Sequence, residues 1–223
     1  MGRKKKLQHF AENITFPHFF QPDYEEMRKG FALKGKWNRV FFENDNPIVL
    51  ELGCGKGDYT VGLAEKSPER NFIGVDIKGA RMWRGAKDSI EKDLKNTTFL
   101  RIRIEHLEYC FDRDEVNEIW ITFPDPQPRL RMTKKRMTSP RFLKMYINII
   151  KNNGLLHLKT DNSGFFDFTR ELLPHFGFQI EFETKNLYAS SWDGEATDII
   201  TFYEEKFLEE GRIIKYLKAR LTK

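Results

Sequence analysis

The chain has 223 residues, 39% of them hydrophobic and 32% charged, with a net charge of +5 at pH 7, enough for one sizeable domain with its own core. No apolar run approaches the roughly 20 residues that cross a bilayer, and the basic start MGRKKKLQHF has neither the apolar segment of a secretory signal nor a myristoylation pattern. Two cysteines, Cys54 and Cys110, and five histidines without ligand spacing give no disulfide framework and no zinc site, so the expectation is a cytoplasmic protein with no metal and no membrane partner, monomer or homodimer. The positive surplus gathers at Arg3–Lys6 and Arg129–Lys144, which favours a polyanionic partner.

Residues 1–45 are irregular in pattern and rich in Phe and basic groups. They read as an N-terminal extension packing on a domain of residues 46–223. Phe10, Phe16, Phe19, Phe20 and Tyr24 read as core rather than as stacking platforms. From residue 47 the period switches regularly. PIVLEL, NFIGVDI, TTFLRI, NEIWITF and GLLHLK are short apolar runs bounded by turn residues, hence strands. Helical stretches lie between them near 58–66, 79–95, 139–152 and 164–175. That alternation predicts an α/β fold, Rossmann-like, with a mostly parallel sheet of about seven strands. FQIEFETKN and TDIITFYEEKF read as a terminal antiparallel hairpin, and FLEEGRIIKYLKARL as a closing amphipathic helix.

VLELGCGKGDYT (49–60) runs a strand into Gly53, Gly55 and Gly57 and then into a helix. Glycines allow positive φ and close backbone approach to a ligand. A dinucleotide site would be spaced G-x-G-x-x-G; here the spacing is G-x-G-x-G, with Glu51 just before it. A carboxylate there suits a cationic ligand better than a pyrophosphate, and S-adenosylmethionine carries an ammonium and a sulfonium. Asp76 ends the next strand, where an acid can accept both ribose hydroxyls of an adenosine. Cys54 reads as a small apolar filler and Lys56 as solvated.

IWITFPDPQPRLRMTKKR (119–136) ends a strand at Phe123 and places Asp125 between Pro124 and Pro126, which restrict the local backbone. An ordinary turn acid is the plain alternative; beside a nucleoside-cofactor loop, a ligand-facing acid is favoured. Arg129, Arg131, Lys134, Lys135, Arg136, Arg141 and Lys144 follow with no acid among them. Such a run can hold phosphates without reading sequence. Asp161 ends the strand LLHLKTD, with a helix N-cap as its alternative role.

ELGCGKG, GVDIKGAR, TFPDP with its basic sequel, LKTD at 158–161 and TFYEEKF at 201–207 occur in this order. As a set they closely resemble the bacterial tRNA (guanine-N7)-methyltransferases, over roughly residues 48–210. The resemblance implies a class I methyltransferase fold, S-adenosylmethionine as cofactor, and tRNA as partner, with methylation of a guanine in the variable loop. It implies that Glu51, Gly53, Gly55, Gly57 and Asp76 hold the cofactor and that Asp125 sits where cofactor and guanine meet. Arg129, Asp161, Thr201, Phe202, Tyr203 and Glu204 would contact the RNA. The family's acid or amide near the adenine aligns with Arg103, with Glu105 two residues on, and its Trp after Pro-Asp-Pro is Gln127.

Guanine N7 carries an in-plane lone pair and no proton, so methylation is an in-line displacement that needs no prior general base. Asp125 is therefore assigned to orientation: accepting from guanine N1–H and N2–H₂, or alternatively holding the cofactor's amino-acid end. Two other functions compete: a small-molecule methyltransferase of the same fold, and an RNA-binding module without catalysis. A nicotinamide dehydrogenase is disfavoured by the glycine spacing and Glu51.

Overall fold

A computed structural model of the chain describes residues 2–223. It divides into two compact units, Met1–Asp112 and Arg113–Lys223.

In the first unit the extension, irregular in its sequence pattern, folds into short elements. It forms α1 (Arg3–Asn13), β1 (Phe19–Phe20), α2 (Tyr24–Gly30) and a π-helical turn over Trp37–Phe42. Asp23 caps α2 by accepting from Glu26 N, with acids in its first turn and Arg28 and Lys29 in its last, as the helix dipole favours. The alternation then follows as β2 (Ile48–Leu52), α3 (Asp58–Lys66), β3 (Asn71–Asp76), α4 (Gly79–Glu91), β4 (Thr97–Arg101) and the one-turn α5 (Leu107–Cys110). The strands run β1-β4-β3-β2, all parallel. β1 was not legible, being only two residues long. Phe19 pairs with Phe99 and joins Cys54, Val61, Met82, Ala86 and Phe99 in one buried cluster. Trp37 is fully buried and donates Nε1–H to the Cys110 carbonyl at 3.0 Å. Of the aromatics expected in the core, Phe19 is buried, Phe10, Phe16 and Phe20 are partly buried, and Tyr24 is 49% exposed.

The second unit contains β5 (Val116–Thr122), a 3₁₀ turn at Leu130–Lys135, α6 (Pro140–Ile149), β6 (Ile150–Thr160), α7 (Ser163–Leu172), β7 (Phe178–Thr184), the short α8 (Glu195–Asp198), α9 (Phe202–Glu209) and β8 (Lys215–Leu221). Its strand order is β5-β6-β8-β7, with β8 antiparallel to both neighbours. The antiparallel end is therefore present, but β8 rather than TDIITFYEEKF is its second member. TFYEEKF is helical because Thr201 and Glu204 form a reciprocal capping box, which satisfies the first N–H groups of a helix; Gly211, at φ +71°, follows its end. KYLKARL is a strand despite its helix-forming composition. Between β6 and β7 both of its edges are hydrogen-bonded, and Tyr216, Leu217, Ala219 and Leu221 are buried; tertiary packing overrides propensity there. The helix expected at 139–152 stops at Ile149, and β6 begins at Ile150.

Candidate active site

In the first unit the glycine loop leaves the carboxyl end of β2. Gly53, Gly55 and Gly57 have φ of +75°, +56° and +77°. At Gly57 a Cβ would lie 2.7 Å from the Phe99 ring, so glycine is required for packing; at Gly55 the nearest atom would be 3.9 Å away, leaving open space above the loop. The Gly55 N–H donates to Asp76 Oδ2 at 2.9 Å, and the Lys78 N–H donates to Oδ1 at 2.9 Å. Asp76 therefore fixes both loops while each oxygen keeps acceptor capacity for a ribose hydroxyl.

Glu51 is 4% exposed. Its Oε2 accepts from Thr60 N (2.8 Å) and Thr60 Oγ1 (2.6 Å), so it caps α3 from the neighbouring strand. Burial pushes its carboxyl up to about 8 against an ordinary 4.5, with the Thr60 hydrogen bonds opposing. Folded protein thus holds a proton that the unfolded chain releases, and stability is lost as pH rises from about 4.5 to about 8. Glu51→Gln is expected to flatten that fall, as read from urea unfolding at a series of pH values; an unchanged slope would contradict the assignment. The open loop, the Asp76 acceptors and a buried acid that a cation would ionise suit S-adenosylmethionine. Cys54 is buried and its thiol is pushed well up, chiefly by burial, consistent with an inert filler.

Arg103 and Glu105 face each other, Nη2 to Oε1 at 3.6 Å, in a partly exposed pair. Sequence reasoning missed Arg101, which stands opposite Asp76 in the β3/β4 register and donates Nε–H to the Ile77 carbonyl at 3.2 Å. It also missed Ile77 itself, an apolar side chain 48% exposed next to the acid; its place after Asp76 was the available signal.

In the second unit, Asp125 lies on an exposed loop whose ends are set by two non-glycine residues in left-handed backbone, Phe123 (φ +48°) and Gln127 (φ +45°). Phe123 N–H donates to the Lys159 carbonyl at 2.8 Å, and its ring lies 5.7 Å from Phe207. Asp125 Oδ1 accepts from Gln127 N–H at 3.1 Å. From the basic run, Arg136 donates Nε–H to the Pro126 carbonyl at 3.1 Å and stacks on Phe168 at 4.4 Å. Arg129, Arg131, Lys134 and Lys135 are exposed.

Asp161 does not cap α7; Asn162 does, accepting from Phe165 N. Asp161 Oδ2 instead accepts from Arg212 Nη1 at 2.7 Å. At the start of α9, Phe202 and Tyr203 are 50% and 42% exposed, whereas Thr201 is buried and Glu204 fully so. Glu204 pairs with Lys159 at 2.6 Å and accepts from Tyr188 Oη at 2.7 Å. Lys159 Nζ also reaches the Ala196 and Ile199 carbonyls, and burial lowers its pKa against the pull of Glu204. The structure thus brings Asp76 onto the glycine loop and encloses Glu204, leaving its exposed neighbours to face outward. No helix among the described residues is long and apolar enough to cross a membrane, and no group of metal-binding side chains occurs among them.

Residues 45–217 match the family described as "Putative methyltransferase". A protein of Christiangramia forsetii named tRNA (guanine-N(7)-)-methyltransferase is 50% identical, covering 99% of this chain and 100% of its own. One of the same name from Bacteroides fragilis is 46% identical over 98% of this chain and 86% of its own, and one from Clostridium acetobutylicum is 39% identical over 84% and 87%. Among solved structures, the 16S rRNA methyltransferase KamB superposes with a TM-score of 0.65 at 15% identity, covering 85% of this chain and 94% of its own. An antibiotic-related methyltransferase superposes at 0.62 and 17% identity, over 92% and 96%. Those two share the fold, an α/β class I methyltransferase. On sequence, over nearly its whole length, this chain belongs to the tRNA (guanine-N(7)-)-methyltransferase family.

Proposed function

We propose that the protein transfers the methyl group of S-adenosylmethionine to N7 of a guanine in tRNA, in the variable loop, and works in the cytoplasm. The observation that carries this reading is the hydrogen bond from Gly55 N–H that ties the glycine loop to Asp76, in a chain of this family. Residues 46–223 would form the methyltransferase domain, with residues 1–45 as its packed extension.

The cofactor, when bound, supplies a methyl group made electrophilic by its sulfonium. Gly53, Gly55 and Gly57 would let the backbone approach it, and Asp76 would accept the ribose hydroxyls. Glu51 would lose its proton beside the positive charge, and Ile77 would offer an apolar wall to the adenine, with Arg103 and Glu105 at its rim. Asp125 Oδ2 makes no hydrogen bond among the described residues and would accept from guanine N1–H and N2–H₂. Adenine cannot offer that pair, and a site built to accept it discriminates strongly. Holding N7 in line with the methyl is worth up to about 7–11 kcal/mol in favourable cases. Arg129, Asp161, Phe202 and Tyr203 would hold the RNA, with Thr201 and Glu204 acting by fixing the start of α9.

The test uses unmodified tRNA transcripts, methyl-labelled cofactor and chromatographic identification of digested nucleosides. Label in 7-methylguanosine is expected. Label in another nucleoside would discard the guanine-N7 assignment, and cofactor binding without transfer to any RNA would favour a small-molecule substrate.

A further inference from the structure

The basic N-terminal run is built into α1, and α1 is tied down. Lys4, Lys5 and Lys6 are exposed, and the first turn holds no acid; the side chain of Arg3 lies outside the described residues. On α4, His9 stacks on Trp83 with centroids 3.8 Å apart and planes 8° from parallel, and its Nδ1–H donates to the Ala80 carbonyl at 3.0 Å. Asn13 donates to the Gly79 carbonyl at 2.8 Å, and Trp83 donates to Glu12 at 2.6 Å. One turn beyond the lysines, the Phe10 ring carries Lys6 Nζ at 5.9 Å and Arg101 Cζ at 4.8 Å. Arg101 is the residue opposite Asp76, so the cationic face of α1 continues to the proposed cofactor end of the first unit.

The charge in the first turn works against the helix: cations there meet the positive end of its dipole, with no acid in that turn to offset them. A solvated tail would need no such anchorage. We infer that α1 is a docked RNA-binding element whose lysines hold phosphates of the tRNA that is methylated. The inference rests on the tRNA reading above and adds a second phosphate-binding surface, separate in sequence from the run after Asp125.

The test measures binding of full-length protein to unmodified tRNA across a salt series, with cofactor affinity measured separately without RNA. Lys4→Gln/Lys5→Gln/Lys6→Gln is expected to weaken tRNA binding about tenfold near 100 mM salt and to reduce the log–log salt slope by about 2. Cofactor affinity should stay unchanged, showing an intact fold. His9→Ala/Asn13→Ala, which keeps the lysines but loosens their mount, should lose most of the same affinity. Wild-type tRNA binding and slope in the lysine variant would overturn the inference and leave the methyltransferase reading intact. Loss in the lysine variant but not in the undocked one would reduce α1 to a flexible tail and overturn it too. A wild type that fails to bind or methylate tRNA would remove the functional reading itself.

Discussion

Asp125→Ala is expected to slow methyl transfer to tRNA by about two to three orders of magnitude while cofactor affinity changes less than about twofold. The size follows from losing one preorganised hydrogen-bonding group that positions the reacting atom, an effect typically of 10² to 10³ in rate. Asp125→Asn is expected to fall nearly as far. It can still accept from Gln127 N–H as Asp125 Oδ1 does, but its amide would turn a donor toward a guanine edge that offers donors. Single-turnover transfer from labelled cofactor, beside calorimetric cofactor binding, separates the two roles open for this acid. Weakened cofactor binding would place the carboxylate at the amino-acid end of the cofactor, and wild-type rates in both variants would make it a turn acid. The loop ends already sit in left-handed backbone at Phe123 and Gln127, and Arg136 braces the Pro126 carbonyl. The geometry is thus set before any ligand arrives.

Glu204→Ala is expected to lower unfolding free energy by about 3–5 kcal/mol, the usual result of removing one partner from a buried ion pair. Both side chains are fully buried, so the remaining lysine has no solvent to turn to, and Tyr188 Oη loses its acceptor as well. Lys159→Met/Glu204→Leu, which removes both charges and keeps apolar volume, should recover much of that loss. Urea denaturation of the three proteins checks the ordering. A Glu204→Ala protein as stable as wild type would show that the pair contributes little to the fold.

β2 to β6 were legible because each is an apolar run closed by turn residues, and the helices between them because their apolar positions recur at helical spacing. The extension was not, since its order comes from single contacts such as His9 on Trp83 and Phe19 beside Phe99 rather than from a period. TFYEEKF misled through its β-branched and aromatic residues, although Thr201 and Glu204 carried the capping signal three residues apart. KYLKARL misled the other way, because composition says nothing of being flanked by two strands. In the candidate site, Glu51, Asp76 and the glycines could be read from their order along the chain. The bracing by Arg136 and the pairing of Lys159 with Glu204 join residues far apart in sequence. A lysine inside the buried run LLHLK was the one hint of the latter.

β8 lies between β6 and β7 in the sheet yet follows both in the chain. During synthesis β6 is complete at residue 160 and β7 at residue 184; β6 has β5 on one side, but the partner for its other side and the partner of β7 exist only once residues 215–221 are made. Both strands must wait with open edges, which are sites for wrong pairing. A frameshift or premature stop after residue 184 would therefore do more than trim the protein. It would leave two unpaired edges, and the buried Trp120 and His157 rings without Tyr216 stacked beside them, a product suited to aggregation or degradation rather than to partial activity.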